Sequence, residues 1–452
     1  MSAAELVAGY AAGSLTPVDV VELSLARAAA DELNAIASVD AEGARIAAVR
    51  SAERWAAGTP LGPLDGVPIT FKDSFHVLGR PRWHGTAVNP GGRSTLDAAP
   101  VRRAREAGMI VVAKTTMPDY AMLMAGLSSQ HGVIRNAWDP ATSPSGSSAG
   151  AGPSVAAGIA AIAVGTDMVG SVRLPAAVSG LASIKPTQGR IAYDPAGDYR
   201  SAGPMARTVD DVEAALEVLG RYDPVDQNAL PGRYSPPERP FTELTGLTVG
   251  VLRELSFGSR VDGPTAAAVQ SQVEVLTGLG ARTVELDDLA VTAADYRAIY
   301  WFMLDKGLPD YLAQDAASRG RIRPEIGRML DSALNRTAAD AAQGAHRIAV
   351  ATERVRRQLS AVDYVLSPAL PVHAWPAEQV SPDPDDPMSH MGFACWFNRL
   401  TWPAGTVPVR SPGPGRCPVS VQVAGHRFDD GGVLQVMRLL EQSRGFEIRY
   451  PA

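Results

Sequence analysis

The chain has 452 residues, 46% of them hydrophobic and 20% charged, which is the composition of a globular protein with a large core and excludes a disordered or fibrous one. A net charge of −6 and an isoelectric point near 5.7, with no basic run and no basic–aromatic interleaving, speak against a nucleic-acid partner. Cys395 and Cys417 are too few for a disulfide framework, so both are expected as reduced thiols.

In chain order, the N-terminus has no basic stretch leading into an apolar run, and acidic residues interrupt it from Glu5 onward. Leu6, Val20, Val21, Leu25 and Ala28 recur near helical spacing, and Thr16–Pro17 supplies an N-cap and a first-turn proline. Residues 1–60 therefore read as a helical region, not a signal peptide, and a cytoplasmic location is the expectation. GVPITFKDSF (66–75) predicts a short strand ending on a charged pair, a helix follows over Ala98–Ala107, and MIVVAKT (109–115) predicts a second buried strand. NAWDPATSPSGSSAG (136–150) is loop chemistry. The uncharged stretch Ala149–Gly165 falls short of the roughly 20 apolar residues of a membrane span and predicts a close-packed core helix. A Pro-rich connection, 221–246, separates the segment 61–220 from 247–452. The second half opens on a predicted strand (247–255) and a helix near 264–279, and later carries a strand over 363–372. No internal repeat is present, and one domain is expected.

Two features carry chemistry. Among 42 basic residues only Lys72, Lys114, Lys185 and Lys306 are lysine. Arginine stays protonated in a protein, whereas a buried lysine can be brought to a neutral, basic form. A lysine kept in so arginine-rich a chain therefore calls for a chemical reason. The second feature is the Gly/Ser-rich block 143–180, which places Ser147, Ser148 and Ser171 at two turns flanking small residues. Glycine there lets backbone amides approach a ligand closely, and a helix start beyond Ser148 would add unpaired N–H groups.

This block resembles the signature of the amidase signature family: GSSAG (146–150), GTDMVGSVRLPA (165–176) and SGLASIKPT (179–187) follow its pattern in order. GVPITFKDSF, AKTTMPDYAM (113–122), NRLTWPAGTVPV (398–409) and residues 418–441 extend the resemblance over nearly the whole chain. The resemblance implies a single α/β domain with a large mixed central sheet flanked by helices. It implies a Ser-cisSer-Lys triad, with Ser171 as nucleophile, Ser147 in a cis peptide as relay, and Lys72 as base; the two serines stand 24 positions apart, as the family pattern requires. It further implies an oxyanion hole from the amides of Met168, Val169, Gly170 and Ser171. Thr166, Asp167, Arg173 and Ser148 are expected to brace the two turns, and Lys185 to be structural. The implied reaction is hydrolysis of a small-molecule carboxylic amide through a seryl acyl-enzyme, with no metal or organic cofactor and no membrane partner. Specificity would lie within about 290–400, and a homodimer is the family's habit.

Two positions depart from the family pattern. Val169 replaces a usual glycine in the oxyanion turn, which would be costly if that residue needed a positive φ. Trp402 replaces another glycine, and with Trp396, Phe397 and Trp301 it is expected to shape an acyl pocket for small or flat groups. Alternatives are one component of a tRNA-dependent amidotransferase, an acyl-transferring member, and a silent assembly module. GSSAG also fits the G-x-S-x-G elbow with Ser148 as nucleophile, but that motif needs a strand directly before it, which Pro140 and Pro144 deny. The seven histidines lie in no metal-binding spacing, and no Gly-rich loop ends in Lys-Ser/Thr.

Overall fold

The computed structural model describes residues 1–89, 91–411, 413 and 415–451. Thirteen strands form in chain order: β1 (Ile36–Val39), β2 (Pro68–Lys72), β3 (Ile110–Thr115), β4 (Leu127–Ser128), β5 (Gly132–Val133), β6 (Ile162–Asp167), β7 (Ala182–Lys185), β8 (Ser201–Ala206), β9 (Thr248–Leu252), β10 (Arg282–Leu286), β11 (Tyr364–Pro368), β12 (Ala404–Arg410) and β13 (Val419–Gly425). Eleven of them make one mixed sheet in the order β1-β3-β2-β6-β8-β7-β12-β13-β11-β9-β10, while β4 and β5 pair apart. The α/β expectation holds, and the sheet takes strands from both sides of the 221–246 connection. Parallel pairs (β2 with β3 and β6, β9 with β10 and β11) stand at the two flanks, and antiparallel pairs join them through the middle.

Alternation along the strands sets up the two faces. Ile69 and Phe71 of β2, Val249 and Val251 of β9, and Leu366 of β11 enter one hydrophobic core, covered by the helices Val209–Leu219, Gly263–Gly278 and Asp430–Gln442. Val365 and Ala424 face the other way, into a second core under Ala293–Leu312, Ala338–Gln358 and Gly392–Arg399. The strands β2, β3, β6 and β9, each of which has a parallel partner, are buried along their whole length, as parallel strands covered on both faces must be.

Three sequence readings need correction. The stretch 149–165 is not one helix: it folds as a single short helix, Ala151–Ala156, followed by β6. An apolar run without polar interruptions carries no periodicity, and Ile162 and Val164 fill a central strand instead. The N-terminal region is three helices, Ala3–Ala11, Pro17–Ala29 and Ala41–Ala56, with the edge strand β1 inserted between the last two. The strand expected over 363–372 stops at Pro368. Thr16 does cap its helix, accepting from the Asp19 amide with Pro17 in the first turn. Cys395 and Cys417 are free and buried. Among the described residues no helix is long and apolar enough to cross a membrane.

Candidate active site

Lys72 ends β2 on the face opposite Ile69 and Phe71, in register with Thr70, whose hydroxyl lies 3.2 Å from Ser154 Oγ. Its side chain is fully buried, with Nζ 2.8 Å from Ser147 Oγ and 3.1 Å from Thr166 Oγ1. No carboxylate makes an ion pair with it among the described residues. Burial, and after it the positive charge of Arg200, hold the amine well below its usual range against the opposing pull of Asp167. Lys114, by contrast, pairs with Asp73 at 2.9 Å and donates to the Asp73 and Pro81 carbonyls, 3.1 and 2.7 Å away. Lys185 donates to the Pro186 carbonyl at 2.8 Å, and burial pulls it down to about 7.

Two turns bring the serines to this amine. The Gly146–Ser147 peptide is cis. Gly146 lies against backbone: a Cβ there would sit 2.6 Å from the Ala125 amide nitrogen, so no other residue fits without moving the 123–125 segment. Ser147 is buried beside Lys72. The Ser148 amide donates to the Ser171 carbonyl at 3.2 Å, tying one turn to the other. Ser148 Oγ is fully buried against the Thr166 backbone, 3.3 Å from its amide and 3.4 Å from its carbonyl. No strand precedes Ser148, so the elbow geometry is absent and this hydroxyl is a brace between turns.

The second turn, 168–172, is folded around a carboxylate. Asp167 Oδ1 accepts from the Gly170 amide (2.8 Å) and Oδ2 from the Val172 amide (3.2 Å). Arg173 closes a bidentate pair on it, Nη2 to Oδ1 at 2.9 Å and Nε to Oδ2 at 3.0 Å, with both side chains inaccessible. The remaining guanidinium donors reach Gln422 Oε1 (2.7 Å), Asn398 Oδ1 (2.7 Å) and the Ala394 carbonyl (3.0 Å). Burial would raise the Asp167 carboxyl, but Arg173, then Asn398 and Lys185, outweigh it and keep the group far below the usual carboxylate range.

Of the four amides expected as oxyanion donors, that of Gly170 is engaged by Asp167, whereas those of Met168, Val169 and Ser171 have no protein acceptor among the described residues. The departure at Val169 has a physical answer. Gly170, with φ 123°, takes the positive dihedral that the turn needs, and Val169 is not among the positive-φ residues. A Cβ on Gly170 would also meet Ala394 Cβ at 2.8 Å.

Ser171 Oγ donates to Met124 Sδ at 3.3 Å, and no hydrogen bond joins it to Ser147 Oγ among the described residues. The Met124 carbonyl is held in turn by His390 Nε2 at 3.0 Å. Ser147, Thr166, Met168, Val169 and Ser171 line a cavity of about 100 Å³ with Met122, Met124, Tyr193 and Arg200. His84 and Tyr120 stand edge to face on its wall, and burial, followed by Arg82 and Arg200, holds His84 well below the usual imidazole range. Met303, Lys306, Gly307 and Asp310 of the helix Ala293–Leu312 complete the lining. A larger groove, about 880 Å³, lies on the outer side of that helix and contains none of the motif residues.

Trp402 and Trp396 do not shape the cavity. Trp402 packs on His426 (ring centroids 4.3 Å apart) and Trp396 is fully buried, both within the second core. Trp301 lies on the outer groove beneath Arg336. Trp396 sits on the helix Gly392–Arg399 and Trp402 just beyond its end, and sequence proximity to a motif did not bring either ring to the site. Conversely, Met124, His84 and Arg200 were not singled out, since they arrive from segments without a motif; Tyr120 lies inside the matched segment 113–122, and Lys306 was marked only as one of the four lysines. Asn398 and Gln422 do sit inside matched segments, where a signal was available.

Comparisons with known proteins follow the same lines. Residues 19–434 match the family model for Amidase. One component of the glutamyl-tRNA(Gln) amidotransferase of Cupriavidus taiwanensis is 30% identical, over 99% of this chain and 97% of its own length. Among solved structures, a bacterial aryl acylamidase of the amidase signature family superposes with a TM-score of 0.89 at 22% identity, covering 98% of this chain and 96% of that one. A crystal structure of an amidase gives 0.81 at 29% identity, covering 98% and 99%.

Proposed function

This chain belongs to the amidase signature family, and on that footing we propose that it cleaves a small carboxylic amide through an acyl-enzyme on Ser171. The observation that carries the proposal is a buried amine with no ion-pair partner among the described residues, 2.8 Å from the hydroxyl of Ser147, which lines the same cavity as Ser171. An alcohol is a weak nucleophile until a base takes its proton. A neutral Lys72 can accept that proton by way of Ser147 once Ser171 turns from Met124 to the relay. Ser171 then attacks the carbonyl, and the oxyanion forms within reach of the Met168, Val169 and Ser171 amides, which have no protein acceptor among the described residues. The relay returns a proton to the departing amine, and water attacking the ester by the same base frees the acid. Asp167 and Arg173 hold the donor turn in place rather than touching the substrate.

The test is ammonia or amine release from a panel of primary amides and anilides by the full-length chain. Turnover should disappear in Lys72→Ala and equally in Lys72→Arg, since a guanidinium donates but does not accept protons. Substantial activity in Lys72→Arg would overturn the role given to the amine. The similarity to an amidotransferase component supports a second reading, in which the chain releases ammonia from glutamine for a partner's use. Glutamine turnover that appears only with a partner protein would favour it.

A further inference from the structure

We propose that the cavity around Ser171 selects amides bearing a carboxylate a few bonds from the scissile carbonyl, with the guanidinium of Arg200 receiving that carboxylate and Lys306 as a second cation in the lining. The inference rests on the amide-cleaving reading above and adds the substrate class. Arg200 is half-buried in the wall of the cavity that holds Ser147 and Ser171. Its neighbour is the ring of Tyr193, 5.2 Å from the guanidinium carbon, and no carboxylate lies within ion-pair distance of it among the described residues. A half-buried guanidinium that makes no side-chain hydrogen bond or ion pair among the described residues favours an acceptor brought by a ligand, and its planar fork matches a carboxylate.

The surroundings add positive charge. Lys306 Nζ sits over Phe302 at 5.1 Å. Behind it Arg399, only 3% exposed, is wedged between Tyr199 and Phe302 (4.3 and 4.7 Å), with Nε and Nη1 lacking a partner among the described residues. Asp310 on the same cavity wall, and Asp198 near Lys306, offset part of this field, leaving three cations against two carboxylates. Partial burial lowers the Lys306 amine, Asp198 opposes, and Arg200 and Arg399 lower it further; a bound anion would relieve that repulsion. The cavity, about 100 Å³, is below the roughly 300–1,000 Å³ of pockets that take drug-sized ligands. The chemistry therefore points to the monoamide of a short dicarboxylic acid.

The experiment compares succinamate with its neutral isostere succinamide, binding measured by calorimetry on the full-length Ser171→Ala chain, which cannot turn them over. Succinamate should bind at least tenfold more tightly at low salt. The preference should disappear in Arg200→Gln, return in part in Arg200→Lys, and shrink as salt is raised. Equal affinities, a preference for succinamide, or binding of neither overturns the proposal. Fluorophosphonate labelling of Ser171 in the unmodified chain is read separately. Labelling without charge selectivity would sink the carboxylate subsite alone, and charge selectivity without labelling or turnover would sink the reaction alone.

Discussion

Asp167→Asn exchanges one oxygen for an NH2 group at a site where every neighbour is a donor. The Gly170 and Val172 amides, Arg173 Nε and Nη2 and Asn398 Nδ2 all point at the native carboxylate, at 2.8–3.2 Å. The amide would leave one of these donor groups facing another donor and would leave the Arg173 charge buried without its counter-ion. Removing one partner of such a pair costs about 3–5 kcal/mol, a large part of the roughly 5–15 kcal/mol by which a native protein is stable. Urea unfolding followed by tryptophan fluorescence would read the loss. Adding Arg173→Met removes the orphaned charge, so the double variant should be less damaged than the sum of the singles by about 2 kcal/mol or more. Because the same carboxylate anchors the donor turn, kcat should fall by about 10²–10³, as for loss of an oxyanion donor. A cost below about 1 kcal/mol, or strictly additive singles, would refute the claim that this ion pair organises the turn. The native carboxyl is held below its unfolded value of about 3.9, so its contribution is present above that pH and is lost as pH falls through the folded value.

Lys72 is linked to stability with the same sign but in a higher pH window, because there it is the charged form that burial penalises. Its folded value lies well below the unfolded one of about 10.4, so between the two the unfolded chain binds one proton more and stability rises with pH. Relative to Lys72→Met, the unfolding free energy of the unmodified chain should climb by up to about 1.4 kcal/mol per pH unit in that window; parallel pH profiles would contradict a neutral buried amine. Activity should have an acid limb where Lys72 takes up its proton, measurable as kcat/KM against pH. Gly170→Ala must place a Cβ 2.8 Å from Ala394 Cβ at φ 123°, so it should lose activity together with thermal stability, while Val169→Ala should fold normally. Trp402→Ala empties a core position and should cost about 3–5 kcal/mol without altering preference among acyl groups, as a set of acyl chain lengths would reveal.

The parts of the site that were legible in the sequence are those fixed by local chain geometry. A lysine at the end of a buried strand, and serines in Gly-rich turns, appear as short contiguous patterns, and the structure brings Lys72, Ser147 and Thr166 within hydrogen-bond distance. The engagement of Gly170 by Asp167 was not legible, since a matched motif tells which amides are near and not which are already paired. The stretch 149–165 misled because Ala and Gly without charges fit a buried helix and a central strand equally well. Trp402 misled because adjacency in a motif does not settle which side of a turn a ring takes. Arg200 was invisible, and Lys306 legible only as one of four lysines, for a third reason: one follows the turn before β8 and the other rides mid-helix, and only the folded chain sets them on one cavity.

The central claim is that Ser171 becomes the nucleophile through Lys72. The measurement that tests it most directly is intact-protein mass spectrometry after a fluorophosphonate probe, with peptide mapping, on the unmodified chain and on Lys72→Ala. The account requires a single adduct on Ser171 that is lost in the variant. An adduct on Ser148, or labelling of Ser171 that does not depend on Lys72, would contradict it.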